Sequence, residues 1–163
     1  MSKIANSDSL TGVKNKHAYI DAEAKLNRLI EEKEDLEFAT IVFDINGLKE
    51  INDSLGHQAG DEFIKSGCSI ICNLFKHSPI YRIGGDEFAV IAQGMDYQNI
   101  DLIMTELEKI NLENQKTDNV VIACGAARYN GERNVAGVFD KADKRMYENK
   151  RQLKNYQLPV IHS

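Results

Sequence analysis

The sequence has no apolar stretch approaching the roughly 20 residues that a membrane span needs, and it has no tryptophan at all. Its start, Met1-Ser2-Lys3-Ile4-Ala5-Asn6-Ser7, lacks the apolar core of a secretory signal. Excess basic charge is also missing. Lys and Arg number 20 against 25 Asp and Glu, a net charge of -5, which argues against nucleic acid as a bulk partner. The cysteines, Cys68, Cys72 and Cys124, are odd in number, with no Cys-x-x-Cys and no His pairing. They offer no disulfide framework or zinc motif and read as reduced thiols in a cytoplasmic protein. Repeats, low-complexity segments and linkers are absent as well. The 163 residues, 42% hydrophobic and 28% charged, suit one globular domain with an adequate core.

The stretch with the most local character is Arg82-Ile83-Gly84-Gly85-Asp86-Glu87-Phe88-Ala89-Val90. Two apolar runs flank a Gly-Gly pair, the signature of strand, turn, strand, with strands predicted at 80–83 and about 87–92. The glycines allow a positive φ and a close approach by a ligand. Acidic residues are disfavoured in strands, so Asp86 and Glu87 are either charges on a solvated tip or groups with a task.

Along the chain, Asp8-Ser9-Leu10-Thr11-Gly12-Val13-Lys14-Asn15 is a turn-rich lead-in, with Asn15 as a candidate helix N-cap. Tyr19, Ala22, Leu26 and Leu29 recur at helical spacing, predicting a helix to about Lys33. Phe38 to Phe43 is an apolar run broken only by Thr40, which fits a central strand covered on both faces, and Asp44 ends it. Leu48, Ile51 and Leu55 resume a helical pattern. A break is expected at Gly56-His57-Gln58-Ala59-Gly60, and a second helix carries Phe63, Gly67, Ile70 and Leu74. Further helices are predicted through Ile100–Ile110 and Val135–Met146, the last ending near Lys150. Another strand is predicted at 120–124, closed by Gly125, and a short edge strand at 158–161. The class is α/β with mixed or antiparallel pairing.

Three sets of residues stand out. If the strands ending at Asp44 and starting at Asp86 are sheet neighbours, their carboxylates meet at one edge. Such a pair suits Mg²⁺, which takes oxygen ligands and shares them with substrate phosphates. Backbone N–H groups at Asn46-Gly47-Leu48, where a helix opens, suit phosphate. Metal acids beside a phosphate cradle point to phosphoryl or nucleotidyl transfer. In the second set, Asp61 could accept from the N1–H and N2 amino group of guanine, with Asn52 completing the contact; the plain alternative is that Asp61 caps a helix. The third set is basic: Lys141, Lys144, Arg145, Lys150, Arg151 and Lys154 form either a solvated face or, through Lys150 and Lys154 four residues apart, a triphosphate contact.

Gly84-Gly85-Asp86-Glu87-Phe88 resembles the name motif of the GGDEF domain of the diguanylate cyclase family. Asp8-x-Leu10-Thr11-Gly12-x-x-Asn15 resembles that family's opening motif, and Phe43-Asp44-Ile45-Asn46-Gly47-Leu48-Lys49-Glu50-Ile51-Asn52-Asp53 its metal and phosphate segment. Gly56-His57-x-x-Gly60-Asp61 is similar to its guanine segment, and Ala142-Asp143 with Met146-Tyr147-x-x-Lys150 to its closing helix. The motifs run in order over about residues 8–155 of an expected single domain spanning 1–163; the few residues before Asp8 are expected to hold no sensor domain, whether the chain is a stand-alone protein or an excised catalytic domain.

The resemblance implies a central, mostly antiparallel five-stranded sheet wrapped by helices, related to polymerase palms and nucleotidyl cyclases. It implies that two GTP condense to cyclic di-GMP with release of two pyrophosphates, each domain bringing one GTP to a homodimer. Asp44, Asp86 and Glu87 would be catalytic. Asp44, Asp86, Glu87 and the Ile45 carbonyl would lie at Mg²⁺ or Mn²⁺. Asn46, Gly47 and Leu48 would hold phosphates, Asn52 and Asp61 guanine, Gly84 and Gly85 would give the nucleotide room, and Lys150 and Lys154 would meet phosphate. Three departures stand out. Asn46 replaces a frequent Asp; Lys154 replaces Arg, losing the bidentate fork; and the window of the product-inhibition motif, Arg-x-x-Asp, reads Phe75-Lys76-His77-Ser78. Competing readings are a non-catalytic GTP or cyclic di-GMP module that signals to a partner, and a plain interaction domain of ferredoxin-like shape.

Overall fold

The structure, a computed structural model, describes residues 5–156. In chain order these form α1 (Lys16–Glu31), β1 (Ala39–Ile45), α2 (Leu48–Leu55), α3 (His57–Leu74), β2 (Ile80–Arg82), β3 (Glu87–Ala92), α4 (Gly94–Gln98), α5 (Ile100–Lys116), β4 (Ile122–Arg128) and α6 (Val135–Tyr156). The strands make one antiparallel sheet in the order β2-β3-β1-β4. Four strands pair among the described residues, not the five that the resemblance implies; the edge strand expected at 158–161 lies outside the described residues.

β1 lies between β3 and β4 and is buried at all seven positions, which is why its sequence is nearly unbroken in apolar residues. Alternate side chains serve two cores. Ile41, Phe43 and Ile45 pack with α3 and α5 residues such as Ile64, Ile71 and Leu107. Val42 packs on the opposite face with Tyr19 and Leu26 of α1 and Val138, Ala142 and Met146 of α6. Asn15 caps α1 as expected, accepting from the Ala18 N–H at 3.0 Å, and α1 ends at Glu31, two residues earlier than its pattern suggested.

The break expected across 56–60 is a single residue, Gly56, which closes α2 and opens α3. Gly60 therefore lies inside α3. β1 likewise continues one residue past its expected end, so Asp44 is inside the strand.

Gly125 departs furthest from expectation. It does not close a strand but lies in mid-β4, opposite Val42. Its value is the missing side chain: a Cβ there would come within 2.2 Å of the Ala142 carbonyl oxygen and 2.3 Å of the Met146 nitrogen. The backbone of α6 lies directly on the backbone of β4. Two side chains of α6 bond the same strand, Arg145 Nη1 donating to the Ala126 carbonyl at 2.5 Å and Asn149 Oδ1 accepting from the Cys124 N–H at 2.9 Å. Asn111 of α5 bonds both backbone groups of Ile122, at 3.0 and 2.8 Å. The outer edge of β4 is thus partly satisfied by side chains, which protects it from pairing with other strands.

α6 also continues past the end expected near Lys150, so Lys150 and Lys154 stand on successive turns of one helix. Replacing Gly125 by Ala puts a methyl group against backbone that cannot yield. The variant is expected to lose roughly 2–3 kcal/mol of stability, read from urea unfolding, with little or no loss for Gly137→Ala in α6, where a Cβ would meet nothing closer than 3.5 Å.

Candidate active site

Asp44 and Glu87 are direct partners across β1 and β3, and the Ile45 N–H donates to the Asp86 carbonyl at 2.9 Å. The acids expected at one sheet edge are therefore brought together by register. Asp44 shares a strand face with Val42 and so points toward α6, where Lys150 Nζ donates to its Oδ2 at 2.8 Å. Its side chain is only 7% exposed, and Oδ1 is buried with no hydrogen-bond partner.

Burial pushes the Asp44 carboxyl above its ordinary range; the Lys150 hydrogen bond opposes this, and the Asp86 carboxylate beside it adds to the upward push. Burial likewise raises Glu87, helped by the carboxylates of Asp44, Asp143 and Asp86. Lys150 is held above its usual value chiefly by its bond to Asp44. Asp143, quoted in the closing-helix motif but given no role from sequence, belongs to this acidic group; burial raises it, with Asp140 contributing.

Among the described residues, no three Asp, Glu, His or Cys side chains gather closely enough to hold a metal by themselves. The proposed set of Asp44, Asp86 and Glu87 is thus not a closed protein cage. The donor chemistry still fits a hard cation. Asp44 offers a buried oxygen without a partner, and Asp86 stands beside it. Mg²⁺ is ordinarily held by one or two carboxylates, with waters and substrate phosphates completing the shell.

A cavity of about 750 Å³ opens beside these acids, lined by Ile45, Asn46, Gly47, Leu48, Asp86, Lys150 and Lys154 among others. Gly47 caps α2 with φ of 78°, the left-handed region that favours glycine. The N–H groups of Gly47 and Leu48 have no hydrogen-bond partner among the described residues, as expected at a helix start. Asn46 differs from expectation: its N–H already donates to the Val121 carbonyl at 2.9 Å, so it is not free for phosphate. Of the basic set, Lys150 and Lys154 line the cavity. Arg145 is engaged with β4 and Lys141 pairs with Glu132.

Asn52 and Asp61 do not line this cavity, although their neighbours Ile51, Leu55 and Phe63 do. They are brought near each other through Gly60, whose Cβ, if present, would fall 1.7 Å from Asn52 Oδ1. Asp61 is exposed and lies inside α3, whose cap is Gly56, so the capping alternative does not hold.

Gly84 and Gly85 also depart from expectation, since neither has a positive φ. A Cβ on Gly85 would meet nothing within 4 Å, so Gly85 leaves open space, whereas one on Gly84 would fall 3.3 Å from the Glu87 Cβ, so Gly84 serves close packing within the hairpin. The Ile83 and Gly84 N–H groups close the turn by donating to the Glu87 carbonyl at 2.9 and 3.2 Å, and Arg82 braces it. Its Nη2 and Nε donate to the Gly85 carbonyl at 2.8 and 3.3 Å, while Nη1 pairs with Asp8 Oδ2 at 3.2 Å. Asp8 in turn accepts from the Thr11 N–H and hydroxyl at 2.9 and 2.7 Å. Burial would raise the Asp8 carboxyl, but the Thr11 bonds and Arg82 outweigh it, and Asp8 stays below its usual range. The opening motif is therefore a clamp on the hairpin, a role missed from sequence. The available signal was the Asp8-x-x-Thr11 spacing of a side-chain turn and a basic residue, Arg82, two positions before the Gly-Gly pair.

A family model described as Diguanylate cyclase, GGDEF domain, matches residues 5–156. Diguanylate cyclase DgcS of Shewanella oneidensis is 29% identical over 153 residues, covering 92% of this chain and 51% of that protein. Diguanylate cyclase TpbB of Pseudomonas aeruginosa is 34% identical over 160 residues, covering 91% and 36%. The chain thus spans about half the length of these curated relatives or less. Among solved structures, the coiled coil and GGDEF domain of DgcB from Caulobacter crescentus in complex with c-di-GMP superposes with a TM-score of 0.74 at 27% identity, covering 93% of this chain and 83% of that one. The matched range takes in the Asp8 clamp, the Asp44–Glu87 register and the lysines of α6, and the chain belongs to the diguanylate cyclase GGDEF-domain family.

Proposed function

We propose that this chain is a diguanylate cyclase domain that condenses two GTP into cyclic di-GMP and two pyrophosphates. The observation that carries this reading is the Asp44 carboxylate, buried in the central strand with one oxygen unpartnered, beside Asp86, which lines the same cavity as the open start of α2. The 3′-hydroxyl of one GTP attacks the α-phosphorus of the other, and pyrophosphate leaves. Because each domain presents one nucleotide, a second copy of the domain is needed to complete the site.

Asp44 and Asp86, with the Ile45 carbonyl, would hold Mg²⁺ or Mn²⁺, which would neutralise phosphate charge where it develops. Gly47 and Leu48 offer free amides to the β- and γ-phosphates. Lys150 and Lys154 approach the same phosphates from α6, Lys154 without the bidentate fork that arginine would bring. Glu87, adjoining the metal acids, is the candidate acceptor for the 3′-hydroxyl proton. Asp61 would accept from guanine N1–H and the N2 amino group while Asn52 completes the contact; adenine has no such pair of donors. Gly84 and Gly85 leave room for the nucleotide.

Incubating the full chain with GTP and Mg²⁺ or Mn²⁺ tests the reading through pyrophosphate release. The rate is expected to rise more than linearly with protein concentration, because two loaded domains must meet. Binding without turnover at high protein concentration would instead identify a non-catalytic module. Asp86→Ala is expected to lose turnover by roughly 10²–10³-fold with unchanged far-UV circular dichroism; retained turnover would remove Asp86 from the metal set.

Base reading is tested through Gly60. Gly60→Ala should drive Asn52 from its place and, like Asp61→Ala, raise KM for GTP by roughly tenfold or more while changing KM for ATP little. Phe75-Lys76-His77-Ser78 carries neither Arg nor Asp, so cyclic di-GMP is expected to give no strong noncompetitive inhibition in a product titration.

A further inference from the structure

Lys150 contacts the carboxylate that the preceding reading assigns to the metal, not an open solvent site. Its Nζ lies 2.8 Å from Asp44 Oδ2, and the other Asp44 oxygen is buried without a partner. An uncompensated buried carboxylate is strongly destabilising, so in the nucleotide-free protein Lys150 supplies the compensating charge. Asp86 stands on the same side, which deepens the need for a cation there.

The backbone beneath Lys150 cannot withdraw. α6 is seated on β4 at Gly125 and bonded to that strand by Arg145 and Asn149, the residue immediately before Lys150. Any exchange at Asp44 must therefore come from the lysine side chain alone. That side chain is long, 31% exposed, and lies on the wall of the 750 Å³ cavity one helical turn from Lys154. A divalent cation and an ammonium group bound to one carboxylate would repel each other at close range. A cation arriving alone would have to expel Lys150 while offering it no new partner. A cation arriving with a triphosphate brings that partner, because phosphate oxygens accept a charge-assisted hydrogen bond from the lysine.

We propose that Lys150 is the resident counter-ion of Asp44 and passes from carboxylate to phosphate when metal and nucleotide bind, so that the divalent cation enters together with the nucleotide and not before it. This rests on the assignment of Asp44 as a metal acid and adds a role that Lys150 plays before substrate is present. The exchange keeps charge matched throughout: Asp44 trades an ammonium for the metal, and Lys150 trades a carboxylate for a phosphate.

The test is Mn²⁺ binding to the nucleotide-free full chain, followed by the electron paramagnetic resonance signal of free Mn²⁺. Lys150→Met removes the competitor and is expected to tighten Mn²⁺ alone by roughly tenfold or more, while weakening Mn²⁺ in the presence of 3′-deoxy-GTP, which cannot react. Lys150→Gln keeps a hydrogen-bond donor for Asp44 without its charge, and gives the same readout should the Met variant fold poorly. Mn²⁺ alone should also raise the Tm of either variant at concentrations that leave the wild type unmoved. Equal or weaker Mn²⁺ binding by both variants, with normal Mn²⁺ uptake by the wild type alongside 3′-deoxy-GTP, would overturn the exchange alone. Failure of the wild type to bind Mn²⁺ even with 3′-deoxy-GTP, or unchanged binding by Asp44→Asn, would overturn the metal assignment and the exchange with it.

Discussion

A carboxylate placed within a central strand is the constraint on which much else depends. Asp44 lies on β1 among residues that are buried at every position, and the cost of desolvating it must be met locally. It is met from one direction, by Lys150, and that contact requires α6 to cross β4 at one height and one rotation. Gly125 allows the crossing because backbone meets backbone there, and a side chain of any size would lift the helix away. Asn149 and Arg145 then fix the helix along its axis by bonding the free edge of β4. The geometry at one carboxylate is thus set by packing distributed over a strand and three turns of helix.

The other half of the site is held differently. Asp86 and Glu87 stand in a turn with no strained glycine and open space around Gly85, closed by backbone bonds from the Ile83 and Gly84 N–H groups to the Glu87 carbonyl. Arg82 braces it further, bonding the Gly85 carbonyl while itself held by Asp8. The opening segment is also tied to β2 by backbone bonds, with Lys14 donating to Ile80 and accepting from Arg82 at 3.0 and 2.8 Å. A residue 74 positions before Arg82 therefore steadies the acids at the hairpin. The ion pair is only 17% exposed on each side, so solvent screens it less than an ordinary surface pair.

Periodicity and charge made part of this visible in advance. The unbroken apolar run predicted a doubly covered strand, the helical spacings predicted α1, α2, α3, α5 and α6, and the pairing of Asp44 with the hairpin acids followed from two strand ends. Several of the errors share one cause: glycine in a sequence does not say why it is there. Gly125 and Gly60 look like punctuation but serve close packing, against α6 and Asn52 respectively. Gly84 and Gly85 look like residues needed for positive φ, but Gly84 packs closely against Glu87 and Gly85 leaves open space. Asn46 offered an amide that the neighbouring segment had already taken at Val121. Asp8, Asp143 and Asn149 act through partners far along the chain; the local Asp8-x-x-Thr11 turn hints at order around Asp8, but no local pattern names the distant partner.

Charge balance gives these contacts a common sense. Asp86, Lys150 and Lys154 line the cavity, and the carboxylates of Asp44, Glu87 and Asp143 lie within electrostatic reach beside it. With all six ionised, the carboxylates outnumber the ammonium groups, so the site by itself repels an anionic nucleotide and attracts a cation. Yet the most buried carboxylate already has a cation in Lys150, which blunts that attraction at the position where it is strongest. Neither a metal ion nor a triphosphate alone therefore relieves the imbalance as well as the two together. On the proposed reading, selection for the metal–nucleotide pair is a property of the empty site, built from one strand, one helix and the glycine that lets them touch.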